Sequence, residues 1–179
     1  TLGSTRRIYA VHAEDPQVTD GSYVEESQPG RSVSLEFAHA DFRYFGANRL
    51  AASDVSFSVP AGSTVALVGP SGAGKTTIAH LLMRFWDPER GDVRMNGRDL
   101  RDYRLDHLRS EIALVAQDTF LFNDTLRANI AIARPDASED EIRLSIERAA
   151  LSDFVTSNPD GLDTRVGERG VRLSGGQRQ

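Results

Sequence analysis

Gly69-Pro70-Ser71-Gly72-Ala73-Gly74-Lys75-Thr76-Thr77 is the stretch on which the fold turns. Its spacing, G-x-x-x-x-G-K-T, is that of a phosphate-binding loop. Glycines let successive backbone N–H groups turn inward and line an anion-sized nest. A helix starting near Gly74 adds its positive end. Lys75 is the only lysine among 21 basic residues, the others being arginine. Arginine is a planar fork and lysine a compact point charge on a thin stem. A loop closed around a phosphate has room for the second and not the first.

The flanks agree with that reading. Thr64-Val65-Ala66-Leu67-Val68 is an apolar run of strand character, and Ile78-Ala79-His80-Leu81-Leu82-Met83 is helix-like. Strand, glycine loop, helix is the arrangement the motif requires. A plain glycine-rich turn would have no use for an inward lysine.

The bulk numbers exclude several classes. A chain of 179 residues is one domain or part of one, long enough to bury a core. Its net charge of −5 implies no basic face and argues against nucleic acid as a partner. With no cysteine, disulfides and cysteine metal sites are excluded. No apolar run approaches the roughly 18 residues of a membrane span. His12, His39, His80 and His107 are scattered without metal-ligand spacing.

Further along the chain, the Pro, Gly, Asp and Glu-rich stretch from Glu14 to Gly30 reads as a linker, preceded by a possible helix end at 4–11. Val33–Phe37, with Phe42 and Tyr44 continuing the alternation, and Val55–Val59 read as half-buried strands. Val93–Met95 reads as another, closed by the turn dipeptide Asn96-Gly97. Ile112–Val115 is wholly apolar and reads as a buried strand. Residues 125–158 read as helical. There Ser138 and Glu141 form a capping box, and Ile142, Ile146, Ala149 and Ala150 share one face.

The last residues, Leu173-Ser174-Gly175-Gly176-Gln177-Arg178-Gln179, form a second motif. Together with the phosphate loop it makes the chain resemble the nucleotide-binding domain of an ABC transporter. More narrowly, the chain is similar to bacterial exporters in which this domain is fused to a membrane domain. Phe42-Arg43-Tyr44, Val115-Ala116-Gln117-Asp118 with Leu121–Thr125, and Asp163–Gly170 also carry the resemblance, as does Arg6-Arg7-Ile8-Tyr9.

The resemblance implies an α/β fold. Its parts are a P-loop NTPase (RecA-like) core, an antiparallel β-subdomain and an α-helical subdomain at about 118–175, with the C-terminal part of the core missing. Residues 1–31 would be the linker after the membrane domain and 32–179 the nucleotide-binding domain. Tyr44 would stack on adenine. The nucleotide would be held by Gly69, Pro70, Ser71, Gly72, Ala73, Gly74, Lys75, Thr76 and Thr77. ATP and Mg²⁺ are the implied cofactors, with Thr76 and Gln117 on the metal, Lys75 on the β- and γ-phosphates and Gln117 orienting water. Leu173, Ser174, Gly175, Gly176 and Gln177 would meet the ATP of a second nucleotide-binding domain, paired head-to-tail as a homo- or heterodimer. The second partner is the membrane domain, met near Leu121–Thr125, at the cytoplasmic face of the bacterial inner membrane.

By the same resemblance, an apolar strand ending in Asp-Glu and a switch histidine are expected beyond Gln179. The 179-residue chain alone is therefore expected to hydrolyse ATP negligibly. Two alternatives stand beside the exporter: a soluble ABC-type ATPase acting on DNA or ribosomes, and a non-hydrolysing ATP-binding fragment. A GTPase is disfavoured, because neither Asp-x-x-G nor Asn-Lys-x-Asp occurs.

Overall fold

A computed structural model describes residue 9 and residues 13–26, 30–117, 119–167, 170 and 173–178. Its contacts fall into two compact units, Thr1–Ala113 and Leu114–Gln179.

The first unit is built on four antiparallel strands: β1 (Leu35–Phe42), β2 (Ala52–Val59), β3 (Arg90–Met95) and β4 (Arg98–Asp99), in the order β2-β1-β3-β4. Alternation along β1 puts Phe37 opposite Phe57 on one side and Val93 on the other. The Phe37 and Phe57 rings stack at 4.8 Å. Asn96 and Gly97, both with positive φ (51° and 78°), turn β3 into β4. That is the backbone an Asn-Gly hairpin needs. Helix α1 (Lys75–Leu82) sets Ile78 and Leu81 into the same core as Phe37, Val93 and Met95. A 3-10 turn (Leu100–Asp102), whose Arg101 amide is capped by the Asp99 side chain, leads to α2 (Leu105–Ser110).

Two expected strands are not formed. Residues 64–68 and 112–115 carry no ladder, and Val68 is 93% exposed, Val115 71%. A run apolar on both faces becomes a strand only when neighbours supply hydrogen bonds and cover both sides. Among the described residues no strand pairs with either run.

The stretch expected to be a linker is docked where it is described. Its segment 19–25 lies as a strap along residues 102–107. Amides of Gly21, Ser22 and Tyr23 donate to the carbonyls of Tyr103 and Asp102, and Arg104 N–H returns a bond to Tyr23. At Gly21 a Cβ would stand 2.2 Å from the Asp102 carbonyl oxygen, so only glycine allows this approach. Tyr103 is fully buried, meets Tyr23 edge-to-face at 5.1 Å and donates its hydroxyl to Met95 O at 2.9 Å. Burial, helped by Glu25 and Tyr23, pushes that phenol up to about 12.

The histidines take three different roles. His39 pairs with Asp54 at 2.7 Å on the surface, and His107 accepts from the Glu25 amide and stacks on Tyr103. His80 packs against Phe85 and Trp86, its Nδ1 buried without a partner among the described residues. His12, Arg6–Ile8 of the expected helix end, Asp118, Glu168, Arg169 and Gln179 lie outside the described residues.

The second unit is helical: α3 (Leu126–Ala131), α4 (Glu139–Arg148), α5 (Ser152–Ser157), a 3-10 turn (Gly161–Asp163) and α6 (Gly175–Arg178). The expected capping box is present on α4, with Ser138 N–H donating to Glu141 Oε2 at 2.8 Å and Glu141 N–H to Ser138 Oγ at 3.3 Å. These bonds, with Arg134 beside them, hold the Glu141 carboxyl below its ordinary value. Ile142 and Ile146 are buried as expected, but Ala149 and Ala150 are exposed. The helix ends at Arg148 and Ala150 turns to positive φ (55°), so the stripe stops short of both. Leu126, Val166 and Leu173 form the core of this unit.

Candidate functional site

The phosphate loop is shaped by its glycines. Gly72 and Gly74 hold φ of 79° and 90°, the left-handed region that favours glycine. A Cβ on Gly74 would also stand 2.4 Å from the Ala51 carbonyl oxygen. The loop turns through Ala73 N–H to Pro70 O at 3.2 Å and enters α1 with Gly74 as its cap. No side chain caps that helix start. The first-turn amides are thus left to an external acceptor, and the helix dipole favours a negative one.

Lys75 Nζ donates to Gly69 O and Pro70 O, each at 2.9 Å. The ammonium is folded onto the loop that it would serve. An anionic oxygen makes a stronger, charge-assisted bond than a carbonyl does, so a phosphate competes for it on favourable terms. Gly72, Ala73, Gly74 and Lys75 line a cleft of about 590 Å³ together with Arg49–Ser53. Arg49 is a second cation at this cleft. Spacing along the chain does not reveal it, because the bend ahead of β2 brings it there. None of the described residues lining the cleft is acidic.

The adjacent threonines have different surroundings. Thr76 is exposed in the first turn of α1, while Thr77 is buried and its Oγ1 lies 3.2 Å from the Tyr44 hydroxyl. Of the two, Thr76 is the one exposed to solvent. Among the described residues no group of three His, Asp or Glu side chains could hold an ion. Magnesium, which keeps most of its waters and leans on phosphate oxygens, fits a site with one hydroxyl. Tyr44 is half-buried, with its ring edge-to-face to Phe42 (4.9 Å) and Trp86 (5.1 Å).

Gln117 and the terminal motif belong to the second unit. Gln117 is exposed at a bend. Leu173 is 8% exposed and anchors the motif to the core of that unit. Ser174 and Gln177 cap α6 reciprocally: Ser174 N–H donates to Gln177 Oε1 at 2.9 Å and Gln177 N–H to Ser174 Oγ at 3.2 Å. Gly175 and Gly176 have open space where a Cβ would be. The structure therefore brings Tyr44 to Thr77 and Lys75 onto its own loop, and it places Ser174 to Gln177 as a separate capped turn.

Comparison with known proteins follows the same lines. The family described as ABC transporter matches residues 52–179. The chain is 44% identical over 179 residues to an ATP-dependent lipid A-core flippase of Haemophilus influenzae (strain 86-028NP), covering 99% of this chain and 30% of the relative. It is 45% identical over 180 residues to the ABC transporter aclQ of Aspergillus oryzae, covering 99% and 22%. A solved structure of a bacterial Atm1-family ABC exporter with ATP bound superposes with a TM-score of 0.88 at 40% identity, covering 99% of this chain and 31% of that one. The chain thus spans under a third of the length of these relatives.

Proposed function

The chain belongs to the ABC transporter family, with its P-loop NTPase fold, antiparallel sheet and helices, and from that premise we propose that it is the nucleotide-binding part of an exporter. In this reading it binds ATP with Mg²⁺ and, in the longer protein, its hydrolysis drives export through a membrane domain. The observation that carries it is the uncapped start of α1 beneath Gly74, with Lys75 beside it.

Each residue then has a physical task. Backbone amides from Gly72 to Thr77 cradle the phosphates, with Gly69, Pro70, Ser71 and Ala73 shaping the turn. Lys75 exchanges its two carbonyl partners for β- and γ-phosphate oxygens. Thr76, with Gln117, holds Mg²⁺, which when bound neutralises phosphate charge. Gln117 orients water, and Tyr44 offers its ring to the base. Ser174, Gly175 and Gly176, held by Leu173 and Gln177, face the ATP of a second copy or a related domain. The Ser174 hydroxyl accepts one bond in its own cap and keeps a proton to donate. Residues 1–31 lead from the membrane domain, and the site works at the cytoplasmic face of the membrane.

The test is nucleotide binding by titration of the parent chain and Lys75→Ala. Loss of a charged donor is expected to weaken MgATP by at least about tenfold; an unchanged affinity would overturn the reading. Because no carboxylate lines the cleft among the described residues, phosphate release by this 179-residue chain is expected at background. Robust Lys75-dependent turnover would contradict that.

A further inference from the structure

We propose that the chain just ahead of the strap forms one wall of the base subsite, with the Gln17 amide reading the N6/N7 edge of adenine. This rests on the reading that the phosphate loop holds a nucleoside triphosphate. A cavity of about 350 Å³ opens beside Tyr44, lined by Gln17, Val18 and the aromatic rings of Phe42, Tyr44, Phe45 and Trp86, and also by Arg43, Asp87 and Glu89, whose charges are paired Arg43 with Glu89 and Asp87 with Arg84. That volume lies within the range of small-molecule sites. The Tyr44 hydroxyl touches Thr77 in the first turn of α1. The cavity is thus one side chain away from the turn that would hold phosphates. A nucleotide is a flat base tied to a phosphate tail, and an aromatic cavity joined through Tyr44 to the first turn of α1 suits the base end.

Both walls are fastened by one buried guanidinium. Arg84 follows α1 in the left-handed conformation (φ 49°) and is 2% exposed. Its Nη2 donates to Thr19 O at 2.8 Å, two residues from Gln17. Its Nε donates to Asp87 Oδ1 at 2.9 Å, next to Trp86. A buried charge left without partners is strongly disfavoured, so Arg84 holds both segments in place. The wall bearing Gln17 is therefore built into the fold.

The rim chemistry selects the base. Phe45 is 99% exposed, and stacking on a base would return that ring to an apolar contact. Gln17 is exposed, and its amide makes no hydrogen bond to another described residue. An amide offers a donor and an acceptor side by side. Adenine presents a donor at N6 beside an acceptor at N7, whereas guanine presents two acceptors at O6 and N7. The amide complements the first edge and not the second.

The experiment titrates the 179-residue chain, Gln17→Ala and Phe45→Ala with MgATP, MgGTP and inorganic tripolyphosphate. Gln17→Ala is expected to weaken ATP about tenfold while leaving GTP and tripolyphosphate unchanged. The ATP-to-GTP preference then collapses. Phe45→Ala is expected to weaken ATP and GTP alike, since stacking is blind to the base edge. Both side chains are exposed, so each variant keeps the parent's unfolding transition. An unchanged ATP-to-GTP ratio in Gln17→Ala, with tripolyphosphate still bound, overturns the base-edge assignment alone. Failure of the parent chain to bind ATP and tripolyphosphate overturns the phosphate-loop reading and this proposal with it.

Discussion

Two turns in this chain carry glycines into a helix, and they treat their own amides in opposite ways. At Gly72–Lys75 the helix start has no side-chain cap, positive-φ glycines and a carbonyl pressed against Gly74. At Ser174–Gln177 the amides of Ser174 and Gln177 are satisfied by the turn's own glutamine and serine side chains, and the glycines have open space around them. The first turn is shaped as an anion nest, since no side chain of its own caps the helix start. The second is complete as a helix cap and displays a smooth, side-chain-free surface. Similar residue types thus make a receptor in one place and a contact surface in the other.

The contrast is sharpest for glycine replacement. Gly74→Ala is expected to be the most damaging change, since it combines positive φ with a 2.4 Å clash against Ala51 O. A loss of about 3 kcal/mol in chemical denaturation, with nucleotide binding abolished, is the expected outcome. Near-parent stability would mean that the loop tolerates a side chain. Ser174→Ala removes half of a reciprocal cap and should cost about 1 kcal/mol. A denaturation midpoint equal to the parent's would mean that this cap contributes nothing to stability. Gly176→Ala meets open space and should stabilise by about 0.5 kcal/mol, since alanine favours helix. A destabilised Gly176→Ala would show that its surroundings are crowded after all.

The smallest effect concerns pH. Glu141 in the α4 cap has a depressed carboxyl, held down by the Ser138 amide and hydroxyl and by Arg134. Its folded value lies below its unfolded one, so its stabilising contribution is full above the ordinary glutamate range. That contribution disappears as the pH falls through the lowered value. Glu141→Gln keeps the cap geometry without the titration and should flatten this part of the melting-temperature profile. Equal acid sensitivity in parent and variant would assign the effect elsewhere. The α6 cap, made with neutral Gln177, has no such dependence.

Several parts of the molecule were legible in the sequence because they are governed by a few consecutive residues. The Asn96-Gly97 hairpin, the Ser138–Glu141 box, the alternation in β2 and the phosphate loop all follow from local backbone and side-chain chemistry; the alternation expected along β1 instead breaks where His39 takes positive φ and the register shifts, leaving Phe37, Ala40 and Phe42 buried. Other parts depend on what lies across space. Residues 64–68 and 112–115 have strand-like sequence, yet no described segment supplies the hydrogen bonds that define a strand. The turn-rich stretch after Glu14 reads as a linker, yet Gly21 allows it to lie against the Asp102 carbonyl. Nothing in the composition of residues 14–30 predicts that contact.

For the site, the sequence by itself determined the nest: the glycine spacing, the single lysine and the helix that follows. Left-handed φ and helix polarity are properties of a short piece of chain. Only the tertiary structure decided that Thr77 turns inward to Tyr44 while Thr76 stays in solvent, that Arg49 joins the cleft, and that Arg84 fastens the strap beside an aromatic cavity. Those outcomes rest on packing between segments far apart in the chain, and burial of a side chain is set by its neighbours in space, not by its neighbours in sequence.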